Sequence, residues 1–163
     1  MTGVAVLFLM GLLVSPIRAD AQELPRARNA AYLELLGNGL LYSVNYDRLF
    51  SERISGRVGA ALLAADSSES AGRVLAVPIM VNYLAGTGNG RLEAGIGALV
   101  LTGEAENVEG SGNESFAGVA GTATLGYRYQ PLNGGFVFRA GFTPLLSGGR
   151  FFPWLGISAG YAF

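Results

Sequence analysis

Between Arg73 and Leu84 the chain reads RVLAVPIMVNYL, and every second residue is large and apolar: Leu75, Val77, Ile79, Val81 and Tyr83. The residues between them are Ala76, Pro78, Met80 and Asn82. RLEAGIGALVL (Arg91 to Leu101) and RISGRVGAALL (Arg53 to Leu63) alternate in the same way. A period of two belongs to the β-strand, whose successive side chains point to opposite faces. A helix would place its apolar residues three and four apart. The second face carries the tighter constraint. It holds Gly59, Ala61, Ala76, Gly95, Gly97, Gly118, Ala120, Gly141, Gly156 and Gly160. Strands that face water normally carry Lys, Glu, Thr and Gln there. Strands that are fully apolar on one side and nearly bare on the other suit a narrow closed barrel with its apolar side outward, where the interior has room for little.

Eight strands follow from the alternation: Ala30–Gly37, Leu40–Phe50, Arg53–Ala64, Val74–Leu84, Arg91–Leu101, Phe116–Tyr129, Phe136–Pro144 and Pro153–Phe163. Gly37-Asn38-Gly39 reads either as a tight turn or as a kink within one long strand, since the apolar parity changes across it. The connectors Ser51-Glu52, Ala85–Gly90 and Gln130–Gly135 are short, while Ala65–Gly72, Thr102–Ser115 and Leu145–Phe152 are longer. Short turns at one end and longer loops at the other are the layout of a barrel in an outer membrane, with both termini on the short-turn side. The last strand, PWLGISAGYAF, has an apolar face and nothing after it to cover that face. Lipid would cover it, and pairing with the first strand would leave no edge. The expected fold is therefore all-β: an antiparallel, up-and-down, eight-stranded transmembrane β-barrel. A soluble lipocalin-like carrier is the alternative. Tyr46 and Phe50 near one end, with Tyr83, Tyr127, Tyr129, Phe136, Tyr161 and Phe163 near turns or the terminus, read as interfacial girdles.

The inward parity also carries charges of both signs: Glu34, Asp47, Arg57, Glu93, Arg128 and Arg139. In a narrow interior such charges must pair, because an unpaired buried charge is very costly. A polar network plugging the lumen is the expectation. Glu34 and Glu93 as an acid–base pair is the lesser reading, given Arg57 and Arg139 beside them. There is no His and no Cys, which removes Ser-His and thiolate chemistry. An all-oxygen cation site could draw only on Glu104, Glu106, Glu109, Asn113 and Glu114, which read better as a solvated acidic loop. Ala85–Arg91, AGTGNGR, lacks the spacing and the Lys of a phosphate loop and reads as a turn. No catalytic, cofactor or metal site is expected.

The N-terminus extends the same reading. Val4–Val14 is apolar, interrupted only by Gly11, and Ala19-Asp20-Ala21 follows it. That is the pattern of an export signal cut before Gln22, although Met1–Val6 carries no Lys or Arg. Residues 1–21 are thus expected as signal peptide, 22–29 as a short lead and 30–163 as the barrel. Only 14% of residues are charged and the net charge is −1, so nucleic acid is not an expected partner.

LELLGNGLLYSVNYDRLF (Leu33–Phe50), IMVNYLAG (Ile79–Gly86), LEAGIGA (Leu92–Ala98), LGYRYQPLNGGFVFRAGFTPL (Leu125–Leu145) and PWLGISAGYAF resemble small outer-membrane β-barrel proteins of Gram-negative bacteria, of a porin-family-like group. The resemblance covers nearly the whole chain after the signal. It implies location in the outer membrane, outer-membrane lipid as surroundings, and passage through periplasmic chaperones and the barrel-assembly machinery. Phe163 with Tyr161 is similar to the terminal signal that this machinery reads. The group includes structural anchors, adhesins, small channels and lipid-modifying enzymes, so the resemblance is specific for place rather than activity. The reading adopted is a monomeric, non-catalytic, loop-presenting barrel. A narrow channel or ligand-binding barrel is the alternative.

Overall fold

The computed structural model describes residues 26–66, 70–107 and 113–163, and the expected signal peptide lies outside them. Two prolines set the strand count. Ten segments pair in one sheet: β1 Asn29–Leu36, β2 Tyr42–Leu49, β3 Ile54–Asp66, β4 Ser70–Ala85, β5 Gly90–Asn107, β6 Asn113–Tyr129, β7 Gly135–Phe142, β8 Leu145–Ser147, β9 Arg150–Phe152 and β10 Leu155–Ala162. Pro144 separates β7 from β8, and Pro153 separates β9 from β10; proline has no N–H to give a ladder. Pairing bridges the break, since the Thr143 N–H donates to the Trp154 carbonyl at 2.8 Å. The wall therefore has eight staves, the last two each in two pieces.

Each stave pairs antiparallel with its sequence neighbour, and β1 pairs with β10 from Ala30↔Ala162 to Leu36↔Gly156. Phe163 and Asn29 extend this seam by exchanging backbone hydrogen bonds at 2.8 and 3.0 Å. The sheet is a closed meander, an eight-stranded barrel whose seam has no edge. Its outer surface carries the alternating apolar residues, among them Leu33, Ile79, Val81, Leu92, Ile96, Leu125 and Ile157, all exposed. The intervening residues face inward. Above the centre Ala61, Ala76, Leu99 and Ala120 form an apolar cluster with Leu40, Leu101 and Leu145 against it. At the short-turn end Ala27, Ala30, Tyr32, Val137 and Ala162 form another.

The wall is uneven. β3 to β6 run 13, 16, 18 and 17 residues, against 8 for β1 and β2. This corrects the expected long loops: much of Ala65–Gly72 and Thr102–Ser115 is strand, with Asp66↔Ala71 and Glu106↔Asn113 in register. Backbone pairing needs no side-chain alternation, so polar segments without a two-residue apolar period still extend the ladder. Leu145–Phe152, also expected as a loop, is a tight hairpin turning at Gly148 and Gly149. The eight aromatics expected at interfaces gather at the short-turn end. The register links Tyr46 to Ala31, Ala31 to Tyr161, and Tyr161 to Phe136 in one ring.

Candidate functional site

The six charged residues expected in the lumen all point inward, and none is more than 4% exposed. Alternation places them: each shares its parity with the small residues of its own strand. They separate into two linked groups.

In the lower group Arg128 of β6 reaches across to Asp47 of β2. Nη2 donates to Oδ1 at 2.6 Å and Nη1 to Oδ2 at 3.1 Å. Ser55 adds a hydroxyl to the same carboxylate at 3.1 Å, and the Gln130 carbonyl oxygen accepts from Arg128 Nε at 2.9 Å. Glu93 lies 3.4 Å from Arg128 and is held by Arg139, whose Nε and Nη2 donate to its two oxygens at 2.9 and 2.8 Å. Arg139 Nη1 donates to the Tyr32 hydroxyl.

The upper group is built on Arg57 of β3. Its Nη2 pairs with Glu34, Nε donates to Asn45 at 3.0 Å, and Nη1 donates to the Asn38 side-chain oxygen at 3.0 Å. Ser43 and Ser158 approach the Glu34 oxygens at 3.4 Å. The Tyr32 ring joins the groups, with the Arg139 guanidinium 4.8 Å from its centroid and that of Arg57 5.7 Å away. Three carboxylates thus meet three arginines, and every nitrogen of those arginines has a partner. Glu34 is ion-paired with Arg57, and Glu93 with Arg139 and, at 3.4 Å, with Arg128.

Asn38 is where sequence reasoning stopped short. Gly37–Gly39 is a turn, a short 3-10 segment, and it folds into the barrel with all three residues buried. The Asn38 amide donates to Thr122 Oγ1 at 2.6 Å and to the Ala123 carbonyl at 3.0 Å; its oxygen also accepts from Thr124 at 3.1 Å. The facing wall is bare: a Cβ on Gly156 would stand 2.7 Å from the Gly37 Cα. Gly126, Gly141 and Gly156 are consecutive register partners, so three adjacent staves present backbone alone there. The turn carries strain. Leu36 sits at φ 59° and Leu40 at φ 74°, a region that branched side chains rarely enter. Glycines flanking Asn38 announce a turn; nothing local announces its inward direction.

Other inward residues lie outside the networks. Asn82 is fully buried with neither side-chain amide atom hydrogen-bonded, and the Thr143 hydroxyl is likewise unpartnered. Arg91 shares the inward parity of Glu93 and is buried opposite Arg128 in register, but makes no ion pair among the described residues. No three Asp or Glu side chains gather as a metal site among the described residues. Glu104 is a strand residue paired with Ser115, and 108–112 of the expected acidic loop lie outside the described residues. Tyr161 and Phe163 face outward, 61% and 58% exposed.

No protein-family model matches the chain, and no curated protein matches it in sequence. Solved structures do match in fold. The crystal structure of the N-terminal β-barrel domain of Pseudomonas aeruginosa OprF is 13% identical, with a TM-score of 0.57, over 83% of this chain and 95% of that one. Ail, the attachment invasion locus protein of Yersinia pestis, is 16% identical, with a TM-score of 0.50 over the same shares. Ail in complex with the heparin analogue sucrose octasulfate is 15% identical with a TM-score of 0.52, again over 83% and 95%. This chain has the eight-stranded fold of those outer-membrane barrels.

Proposed function

We propose that this chain is a non-catalytic integral protein of the bacterial outer membrane, a closed barrel that holds its raised hairpins outside the bilayer. One observation carries the reading: the exposed face of the wall is a continuous apolar band, while the buried face holds the ion pairs. On β4 the band runs from Leu75 to Tyr83, bounded above by Arg73, whose register partner is Glu104. About nine residues at a ~40° tilt give ~23 Å of height, close to the ~25 Å apolar band of such barrels. In water this surface would be an aggregation site. Lipid makes it the stable outer face, and the structural neighbours are outer-membrane proteins. Export through the N-terminal signal, chaperone escort and assembly on the resemblance of Tyr161 and Phe163 to the terminal signal belong to the same proposal.

The lumen is proposed to be plugged. Arg128 and Asp47 are 0% exposed, so no water reaches the centre of the network. Eight strands enclose a space just wide enough for side chains, and here arginines and the inward turn take it up. The oligosulfate held by Ail is not carried over. The upper parts of β5 and β6 carry Glu104, Glu106 and Glu114, a charge of the wrong sign for that ligand.

Fractionation with carbonate extraction, followed by planar-bilayer recording of the purified chain, tests both halves. The expected result is retention in outer membranes, heat-modifiable gel mobility and conductance near zero. A soluble periplasmic monomer would overturn the membrane reading. Steady ion-selective currents would overturn the plug and favour a channel.

A further inference from the structure

Four arginines are buried among the described residues, and Arg91 alone is incompletely bonded. It is 5% exposed. Its Nη1 donates to the Glu52 carbonyl at 2.8 Å, while Nε and Nη2 have no partner. Those two N–H groups share one edge of the planar guanidinium, the edge that grips a carboxylate or phosphate through two parallel hydrogen bonds. The barrel itself gives the precedent, since Arg139 holds the Glu93 carboxylate on the same edge, Nε and Nη2 at 2.9 and 2.8 Å.

The other lumen charges balance one another. Glu34, Asp47 and Glu93 are taken up by Arg57, Arg128 and Arg139. Arg91 is the surplus cation, and its register partner on β6 is Arg128, another cation. A buried charge left without a partner is costly, and such a cost is met where a ligand completes the site.

The surroundings of Arg91 are cationic. Arg91 lines a cavity of about 230 Å³ at the short-turn end, together with Arg26, Arg28 and Arg53. Glu52 is the only acid among the described residues lining it, and Glu52 is paired with Arg26. A water occupies ~30 Å³ of liquid, so the space admits a tetrahedral oxyanion with several waters.

We propose that this cavity binds an oxyanion, a phosphate or carboxylate group, on the Nε–Nη2 edge of Arg91, with Arg28 and Arg53 adding positive field. Both Arg91 nitrogens are sealed from solvent, so entry requires part of the rim to move. The exposed Arg26–Glu52 pair, with side chains 47% and 77% exposed, lines the same cavity and is the part of the rim with most freedom to move. The phosphate could be free in the periplasm or carried on a lipid headgroup, and the chemistry at the edge is the same.

The test uses the mature chain refolded in uncharged maltoside micelles in phosphate-free buffer. Sodium phosphate is titrated against sodium chloride at matched ionic strength, reading the ¹⁵N resonance of the Arg91 Nε and the thermal midpoint. The expected result is a saturable shift of that resonance with phosphate and none with chloride. Arg91→Lys, which keeps the charge but lacks the edge, should weaken binding at least tenfold. Dihexanoylphosphatidylglycerol binding more tightly than inorganic phosphate would identify a headgroup, and weaker binding would identify a free anion. No saturable shift in the wild-type chain overturns the proposal, whether or not the variant folds. Equal affinity in Arg91→Lys overturns the bidentate site.

Discussion

Arg128 and Asp47 stand 81 residues apart in the chain and meet through two hydrogen bonds across a lumen where neither has any exposed surface. Removing Asp47 leaves Arg128, as an ion pair, only the 3.4 Å contact to Glu93, a carboxylate already held by Arg139, and breaking a buried pair in this way costs ~3–5 kcal/mol. Asp47→Ala should therefore lower unfolding stability by about that amount. Urea unfolding in phospholipid vesicles, followed by the fluorescence of Trp154, the single tryptophan, reads the change. The double variant Asp47→Leu/Arg128→Met should recover most of the loss, because it removes both charges together. A double variant no better than the single would show that the pair matters for its shape rather than its charge.

The two faces of β4 should respond differently to a new charge. Ile79 lies in the middle of the outward band, half exposed, and Ile79→Arg should cost ~2–4 kcal/mol in a bilayer. Thr102 lies outward near the top of β5, and Thr102→Arg should cost no more than ~1 kcal/mol. Pro78 is fully buried in the lumen, so Pro78→Arg should act through crowding and slow folding in detergent as much as in lipid. Equal costs at Ile79 and Thr102 would mean that the band is not at membrane depth.

The strain at Leu36 is also measurable. Leu36 sits at φ 59° and ψ −140°, which glycine enters freely, and its side chain is 42% exposed. Leu36→Gly should raise stability by ~1 kcal/mol, as relief of ~1–3 kcal/mol of strain outweighs the entropy of a new glycine. Leu35→Gly, in ordinary strand geometry next door, should lower it. The same vesicle unfolding assay compares the two.

Phe163 does two things. Its backbone exchanges two hydrogen bonds with Asn29 at the closing seam, and its exposed ring lies in the aromatic ring at the short-turn end. Deleting it should cost refolding in detergent little, because β10 keeps its ladder with β1 from Gly156 to Ala162. In cells the deletion should reduce assembly sharply if the assembly machinery reads Tyr161 and Phe163. Undiminished assembly of the shortened chain would remove that role and leave the barrel intact.

Local alternation by itself determined the strand type and the outward and inward faces, while the count of eight waited on Gly37–Gly39, a turn rather than a kink in the structure. The reason is that a strand's two-residue period is set within each residue's own backbone. The inward parity of Glu34, Asp47, Arg57, Glu93, Arg128 and Arg139 was legible for the same reason. Their pairing was not. Whether Arg128 meets Asp47 or Glu34 depends on how far each stave is staggered against the next around the whole circuit, and no single segment records that sum. Asn38 shows the limit most clearly. Its neighbours Gly37 and Gly39 mark a turn, but the turn folds inward because Gly156, far along the chain, leaves the facing wall bare and Arg57, Thr122 and Thr124 wait as partners. Arg91 is the reverse case: its face was legible, while its lack of a partner is a property of the closed barrel, where every carboxylate of the lumen is already held by another arginine.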